Sequence, residues 1–120
     1  MPKIMFRHIT GSRATEVDVV DLGAHRELVL GRARSAAVRF DPLYDREVGR
    51  HHARISWNDA VPVVFEICDL KSRNGTYVNG RLITTPMRLQ VGDVIQLGAQ
   101  GPEIEVRWDA ATTTVLHLIG

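Results

Sequence analysis

One cysteine, Cys68, stands in the 120 residues. It has no partner for an internal disulfide and no second thiol for a zinc site. It lies in the apolar run VPVVFEIC, so it reads as a small buried hydrophobe. No apolar stretch approaches the length of a membrane span. The N-terminal MPKIMFRHIT lacks the long apolar core and small-residue cleavage site of a leader. Net charge is nearly absent as well: 15 Lys and Arg against 14 Asp and Glu leave +1 at pH 7. Global charge therefore gives no reason to expect nucleic acid or a membrane as partner, and any anion site must come from local clustering. Also missing is an amphipathic helical period sustained over three turns. These absences lead us to expect a soluble, non-helical protein of a reducing compartment, the cytoplasm.

What is present is period two. Hydrophobic residues make up 44% of the chain, an ordinary globular share. The length suits one domain with a real core. KIMFRHIT, TEVDVVDL, ELVLGR, AVRF, ARISW, VPVVFEIC, TYV, VIQLG and EIEVRW each fit a strand of about four to eight residues. Gly, Pro, Asn and Asp punctuate them, as at Asp41-Pro42, Asn74-Gly75, Asn79-Gly80 and Gly92-Asp93. The expected fold is all-β, an antiparallel sandwich of many short strands over residues 1–108. In TEVDVVDL the alternation predicts Val17, Val19 and Leu22 inward, with Glu16, Asp18 and Asp21 toward water. The tail 109–120, DAATTTVLHLIG, reads as a final strand or a lead to a partner, including a second copy in a homodimer.

The longer polar connections carry the chemistry: GRARSA, DPLYDREVGRHH and DLKSRNGTYVNG. They hold Arg32, Arg34, Arg46, Arg50, His51, Lys71 and Arg73. One reading is a set of solvated loop charges offset by Asp41, Asp45, Glu47 and Asp69. The other is a convergent anion pocket. Arginine forks suit a planar multi-oxygen anion. Gly31 and Gly49, without Cβ, would let main chain approach a ligand. Asn74-Gly75 can form a positive-φ turn and still offer an amide to a peptide backbone. A phosphate on a side chain, with three strong acceptors and nearly two charges, fits such a set.

From Leu28 to Leu97 the sequence resembles the forkhead-associated (FHA) family. The resemblance rests on Gly31-Arg32, on Val48-Gly49-Arg50-His51-His52-Ala53, on the run from Asp69 to Gly80, DLKSRNGTYVNG, and on Leu89, Gly92-Asp93, Ile95 and Leu97-Gly98. It implies a β-sandwich with ligand loops at one end that binds phosphothreonine in an extended peptide, without cofactor or metal. Residue by residue, it implies that Arg32 grips the phosphate and that Arg50 and Arg73 contact the phosphate or neighbouring peptide. Asn74 would bond the peptide main chain, and His52 would brace the loops without touching the ligand. Gly31 and Gly75 would shape the loops, and Asn79 would tie a second turn. Gly49 stands where the family pattern has a serine that donates to the phosphate. Two readings follow. In one, Arg50, Arg73 and the Gly49 amide compensate. In the other, the pocket is degenerate and the module binds a partner without phosphorylation, or oligomerises.

Other classes fit less well. His51 and His52 are adjacent on a strand-like run and point to opposite faces, a poor pair for a metal. No serine or cysteine with a neighbouring base is recognisable, so an enzyme is not expected. The aromatics do not interleave with basic residues as a base-stacking platform would require. The expected partner is a threonine-phosphorylated protein or peptide. Arg54, two residues past His52, reads as a sheet-surface charge.

Overall fold

Side-chain alternation builds two facing sheets. The computed structural model describes residues 3–23, 25–58 and 60–109. In β1 (Lys3–His8) the sequence KIMFRH turns Ile4, Phe6 and His8 inward and leaves Lys3, Met5 and Arg7 outside. The chain continues through β2 (Val17–Asp21), β3 (Glu27–Gly31), β4 (Val38–Arg39), β5 (Ala53–Trp57) and β6 (Phe65–Asp69). Then come β7 (Thr76–Val78), β8 (Arg81–Leu82), β9 (Met87–Arg88), β10 (Val94–Leu97) and β11 (Glu103–Trp108). One sheet has the order β2-β1-β11-β10-β7-β8, the other β4-β3-β5-β6-β9. The expected sandwich of short strands is thus the observed fold.

Every pairing is antiparallel except β3 with β4. That parallel pair corrects the all-antiparallel expectation. Segment 32–37 folds straight back along β3, where the Ala37 amide donates to the Val29 carbonyl at 3.0 Å and the Phe40 amide to the Gly31 carbonyl at 2.9 Å. β8 and β9 have two residues each, too few to show any periodicity.

The core lies between the sheets. Phe6, Leu30, Ile55, Phe65, Ile67, Ile95, Ile104 and Val106 are fully buried. Trp57, Phe65 and Trp108 stack in tilted pairs with centroids 5.7 and 4.6 Å apart. This aromatic cluster closes the pole where β5 and β11 end. The long polar loops occupy the other pole, where β5 begins.

β2 is inverted relative to the sequence reading. Val17 and Val19 are 52% and 54% exposed, while Asp18 and Val20 are half-buried; Leu22 is buried as expected. The inversion follows from neutralisation. Both Asp18 oxygens accept from the Arg13 guanidinium at 2.7 Å, and Oδ2 lies 2.9 Å from His8 Nε2. Burial pushes the Asp18 carboxyl up, but the bonds from Arg13 and His8 outweigh it and hold it below its ordinary value. A carboxylate so well partnered can face inward. Period two then turns the flanking valines out. Cys68 is a second correction. With Phe65 and Ile67 inward, it falls on the outer face of β6, half-buried, its thiol 3.4 Å from the Asp69 carbonyl. The expected tail strand and tail-mediated homodimer concern residues 110–120, which lie outside the described residues.

The inverted face gives a direct check by urea unfolding. Val17→Thr should change stability by no more than about 0.5 kcal/mol, as for an exposed position. Ile104→Ala should cost about 2–5 kcal/mol, as for a core aliphatic.

Candidate functional site

Three loops meet at the polar pole: 32–37, 40–52 and 70–75. One buried side chain joins the second and third of them. His52 is fully buried at the entrance to β5. Its Nδ1 accepts the Gly49 amide at 2.9 Å, and its Nε2 lies 2.7 Å from the Gly75 carbonyl, to which it donates. Its own amide donates to the Leu30 carbonyl and its own carbonyl accepts the Leu70 amide, each at 2.9 Å. The two ring contacts define a neutral imidazole protonated on Nε2, since Nδ1 is occupied as an acceptor. Burial pushes the His52 pKa below its ordinary value, outweighing the bond to Gly75 that raises it.

The approach of the first two loops depends on Gly31. The Arg32 amide donates to the Gly49 carbonyl and the Ala33 amide to the Arg50 carbonyl, each at 3.0 Å. A Cβ on Gly31 would stand 2.1 Å from the Arg50 carbonyl oxygen. The sequence reading gave this bare position to an incoming ligand. The structure gives it to the protein's own backbone. Gly75 is a different case: its φ of +84° belongs to the left-handed region, and its carbonyl also accepts the Gly98 amide at 2.8 Å.

Two donors from different loops then dock on neighbouring carbonyls. Arg32 Nε donates to the Val48 carbonyl, and its Nη1 reaches the Pro42 carbonyl at 3.4 Å. Asn74 Nδ2 donates to the Glu47 carbonyl at 2.9 Å. Arg32 and Asn74 thus sit side by side, 42 positions apart in sequence (74 − 32). Each keeps free donors: the outer part of the guanidinium fork, and the second N–H of the amide. Arg50, His51 and Arg73 are exposed beside them. Arg54 lies apart, on the outer face of β5, 3.6 Å from Glu27.

Three of the four acidic residues named for these loops spend their oxygens on amides and hydroxyls, not on the arginines. Asp41 Oδ1 accepts the Leu43 and Tyr44 amides at 2.7 and 3.0 Å. Buried Asp45 accepts the Ser12 amide and hydroxyl at 3.1 and 2.5 Å and the Asp41 amide at 3.0 Å. Asp69 accepts the Ser72 amide at 3.0 Å and the Ser72 and Thr76 hydroxyls at 2.5 and 2.7 Å. Burial pushes the Asp69 carboxyl up, but the bonds from Ser72 and Thr76 prevail and hold it below its ordinary value. Three carboxylates therefore fold loops, and the arginines face outward without them.

Gly49 needs a correction. Its amide, expected to help hold an anion, is already given to His52. It cannot stand in for an absent hydroxyl. A Cβ at this position would meet only ordinary contacts, the nearest being His52 Nδ1 at 3.7 Å. Farther along, Asn79 and Gly80 take φ of 51° and 82° in the two-residue turn between β7 and β8. Asn79 Nδ2 donates to Asp93 at 2.9 Å and its Oδ1 accepts the Val94 amide at 2.9 Å, tying that turn to the entry of β10.

Sequence reasoning missed the acceptors, the carbonyls of Pro42, Glu47 and Val48, because a carbonyl has no residue-type signature. It also missed the clamp between Ser12 and Asp45, 33 positions apart. The spacing Asp69-x-x-Ser72 was a readable signal for the turn in the third loop.

Two outcomes follow. Gly31→Ala should destabilise the domain by several kcal/mol, or prevent its folding, as expected for overpacking against rigid backbone; Gly49→Ala should cost little in the same denaturation series. His52, with its folded pKa below 6.5, resists a proton that the unfolded chain takes up near pH 6.5. Its contribution to stability is full above that pH and is lost progressively as pH falls below it. The melting temperature should therefore drop from pH 7.5 to 5.5. His52→Gln should lower it at pH 7.5 and flatten the remaining pH dependence.

Comparison with known proteins agrees with this fold. The family model described as FHA domain matches residues 28–98, more than half of the chain. The vacuolar protein sorting-associated protein 64 of Saccharomyces cerevisiae is 36% identical over 77 residues; the match covers 63% of this chain and only 12% of that protein. A solved FHA domain from a structural and functional analysis of phosphothreonine-dependent FHA domain interactions is 31% identical. It has a TM-score of 0.69, with 88% of this chain and 95% of that one covered. The FhaA FHA domain, solved in complex with the intracellular domain of Rv3910, is 30% identical with a TM-score of 0.67, covering 87% and 99%. The chain belongs to the FHA domain family.

Proposed function

We propose that this chain is a docking module that binds phosphothreonine in an extended peptide and performs no catalysis. The observation that carries the reading is the pairing of Arg32 and Asn74 on the adjacent carbonyls of Val48 and Glu47. A guanidinium fork and a carboxamide held side by side match a phosphate and the peptide backbone next to it. Both are restrained before any ligand arrives, which lowers the ordering cost of binding. Arg50 and Arg73, exposed on the same rim, add charge that would steer and retain a doubly charged anion. The solved relative from a study of phosphothreonine-dependent interactions supports the ligand class.

Gly49 sets the affinity in this reading. With no hydroxyl, and its amide held by His52, it offers the phosphate nothing. The arginines carry the anion alone. A hydrogen bond to a charged group contributes about 1.5–3 kcal/mol, or roughly ten- to a hundredfold in affinity. The site therefore binds its peptide more weakly than one with a serine here.

Calorimetric titration with a degenerate phosphothreonine peptide library, beside its unphosphorylated counterpart, tests this. Arg32→Ala should abolish phospho-dependent binding while leaving the fold intact. Gly49→Ser should tighten binding by about tenfold or more. Equal binding of both libraries, unaffected by Arg32→Ala, would replace the proposal with phosphorylation-independent docking.

A further inference from the structure

Among the described residues no strand pairs with the outer edge of β2, and that edge is built differently from the other sheet edges. Three of the four edge strands among the described residues, β4, β8 and β9, have two residues each; β2 has five. Short edges protect a sheet from adding strands, as do lysine, proline or a bulge on longer ones. β2, VDVVD, has neither Lys nor Pro and pairs with β1 without interruption from Val17 to Asp21. Its inward charge, Asp18, is paired with Arg13 and hydrogen-bonded to His8, so it does not repel an incoming strand.

The direction of the backbone can be worked out. The His8 amide donates to the Glu16 carbonyl at 2.8 Å, so Glu16 faces β1. In an antiparallel pair the facing alternates. Asp18 and Val20 therefore also face β1, and the main-chain groups of Val17, Val19 and Asp21 point away from the sheet. The side chains of the same three residues lie on its outer surface, beside exposed Met5, which pairs with Val19.

We propose that this edge pairs with the β2 edge of a second copy of the chain, antiparallel about a two-fold axis at Val19. This goes beyond peptide binding and does not depend on it. The argument is one of charge and register. One antiparallel two-fold register pairs all five residues: Val17 with Asp21 of the other copy, Asp18 with Val20, Val19 with Val19. In it no carboxylate opposes a carboxylate. Centring the axis at Asp18 or Asp21 would set like charges face to face. The Val19 register also aligns Met5, Val19 and the same two residues of the second copy in one apolar row across the outer surface. Three hydrogen-bonded pairs form along the edge. The contact is small, so association is weak and concentration-dependent.

Sedimentation equilibrium of the full chain tests the proposal. The mass should rise from the 13.4 kDa monomer toward twice that value with concentration. Val19→Lys and Val19→Glu should each stay monomeric with an unchanged melting temperature, because like charges meet on the axis. An equimolar mixture of the two should recover the dimer, an outcome that misfolding cannot produce. Amide exchange should show concentration-dependent protection at Val17, Val19 and Asp21 and none added at Asp18 and Val20. A wild-type chain monomeric at every concentration, or a Val19→Lys variant that dimerises like wild type, overturns the proposal. So does protection of the edge only on adding an alternating threonine–valine peptide, which would assign it to a foreign strand.

Discussion

A single buried imidazole governs the ligand pole. His52 receives the Gly49 amide, donates to the Gly75 carbonyl, and bonds through its own main chain to Leu30 and Leu70. It thereby links the end of β3 and two of the three loops, and Gly31 brings the remaining one against Gly49 and Arg50. An apolar residue at position 52 would leave the Gly49 amide without its acceptor, a cost of about 1–3 kcal/mol, and the Gly75 carbonyl with the Gly98 amide alone. A charged imidazole would lose its acceptor nitrogen. Only a neutral ring of one tautomer serves both neighbours, and its burial keeps it neutral.

The electrostatics of the pole rest on a division of labour. Asp41, Asp45 and Asp69 are absorbed by amides and hydroxyls, so their charges stabilise turns and do not quench the arginines. Arg32 and Asn74 are steadied by carbonyls, which are dipoles and leave the cation its charge. A loop cluster of mixed composition on a nearly neutral chain can present one sign of charge outward because the other sign faces its own backbone. Composition shows only the totals; hydrogen bonds decide which charges reach solvent.

The fold was legible because alternation is a local signal. β1, β5 and β11 bury the residues that period two selects, and their registers bring together Phe6 and Val106, and Ile55 and Ile67. The reading failed at β2, where alternation was present but its phase was set by partners outside the strand. Arg13 pairs with Asp18 and His8 hydrogen-bonds to it, and no window on TEVDVVDL contains both. The site was legible in part. The order of glycines, arginines and asparagine along the chain marked loops that do meet at one pole. The reading that Gly31 lends its bareness to a ligand was wrong, because the Arg50 carbonyl fills that space; at Gly49 it is the amide that is taken, by the His52 ring. Carbonyl acceptors and the clamp from Ser12 to Asp45 left no trace in residue type.

The registers of the first and last strands have a further consequence. Ile4 pairs with Trp108, so the polypeptide enters and leaves the sandwich through adjacent strands, beside the aromatic cluster. That exit lies at the pole opposite Arg32 and Asn74. The described ends of both strands therefore sit at the pole away from the loops, which makes that pole the favourable one for attaching a fused reporter.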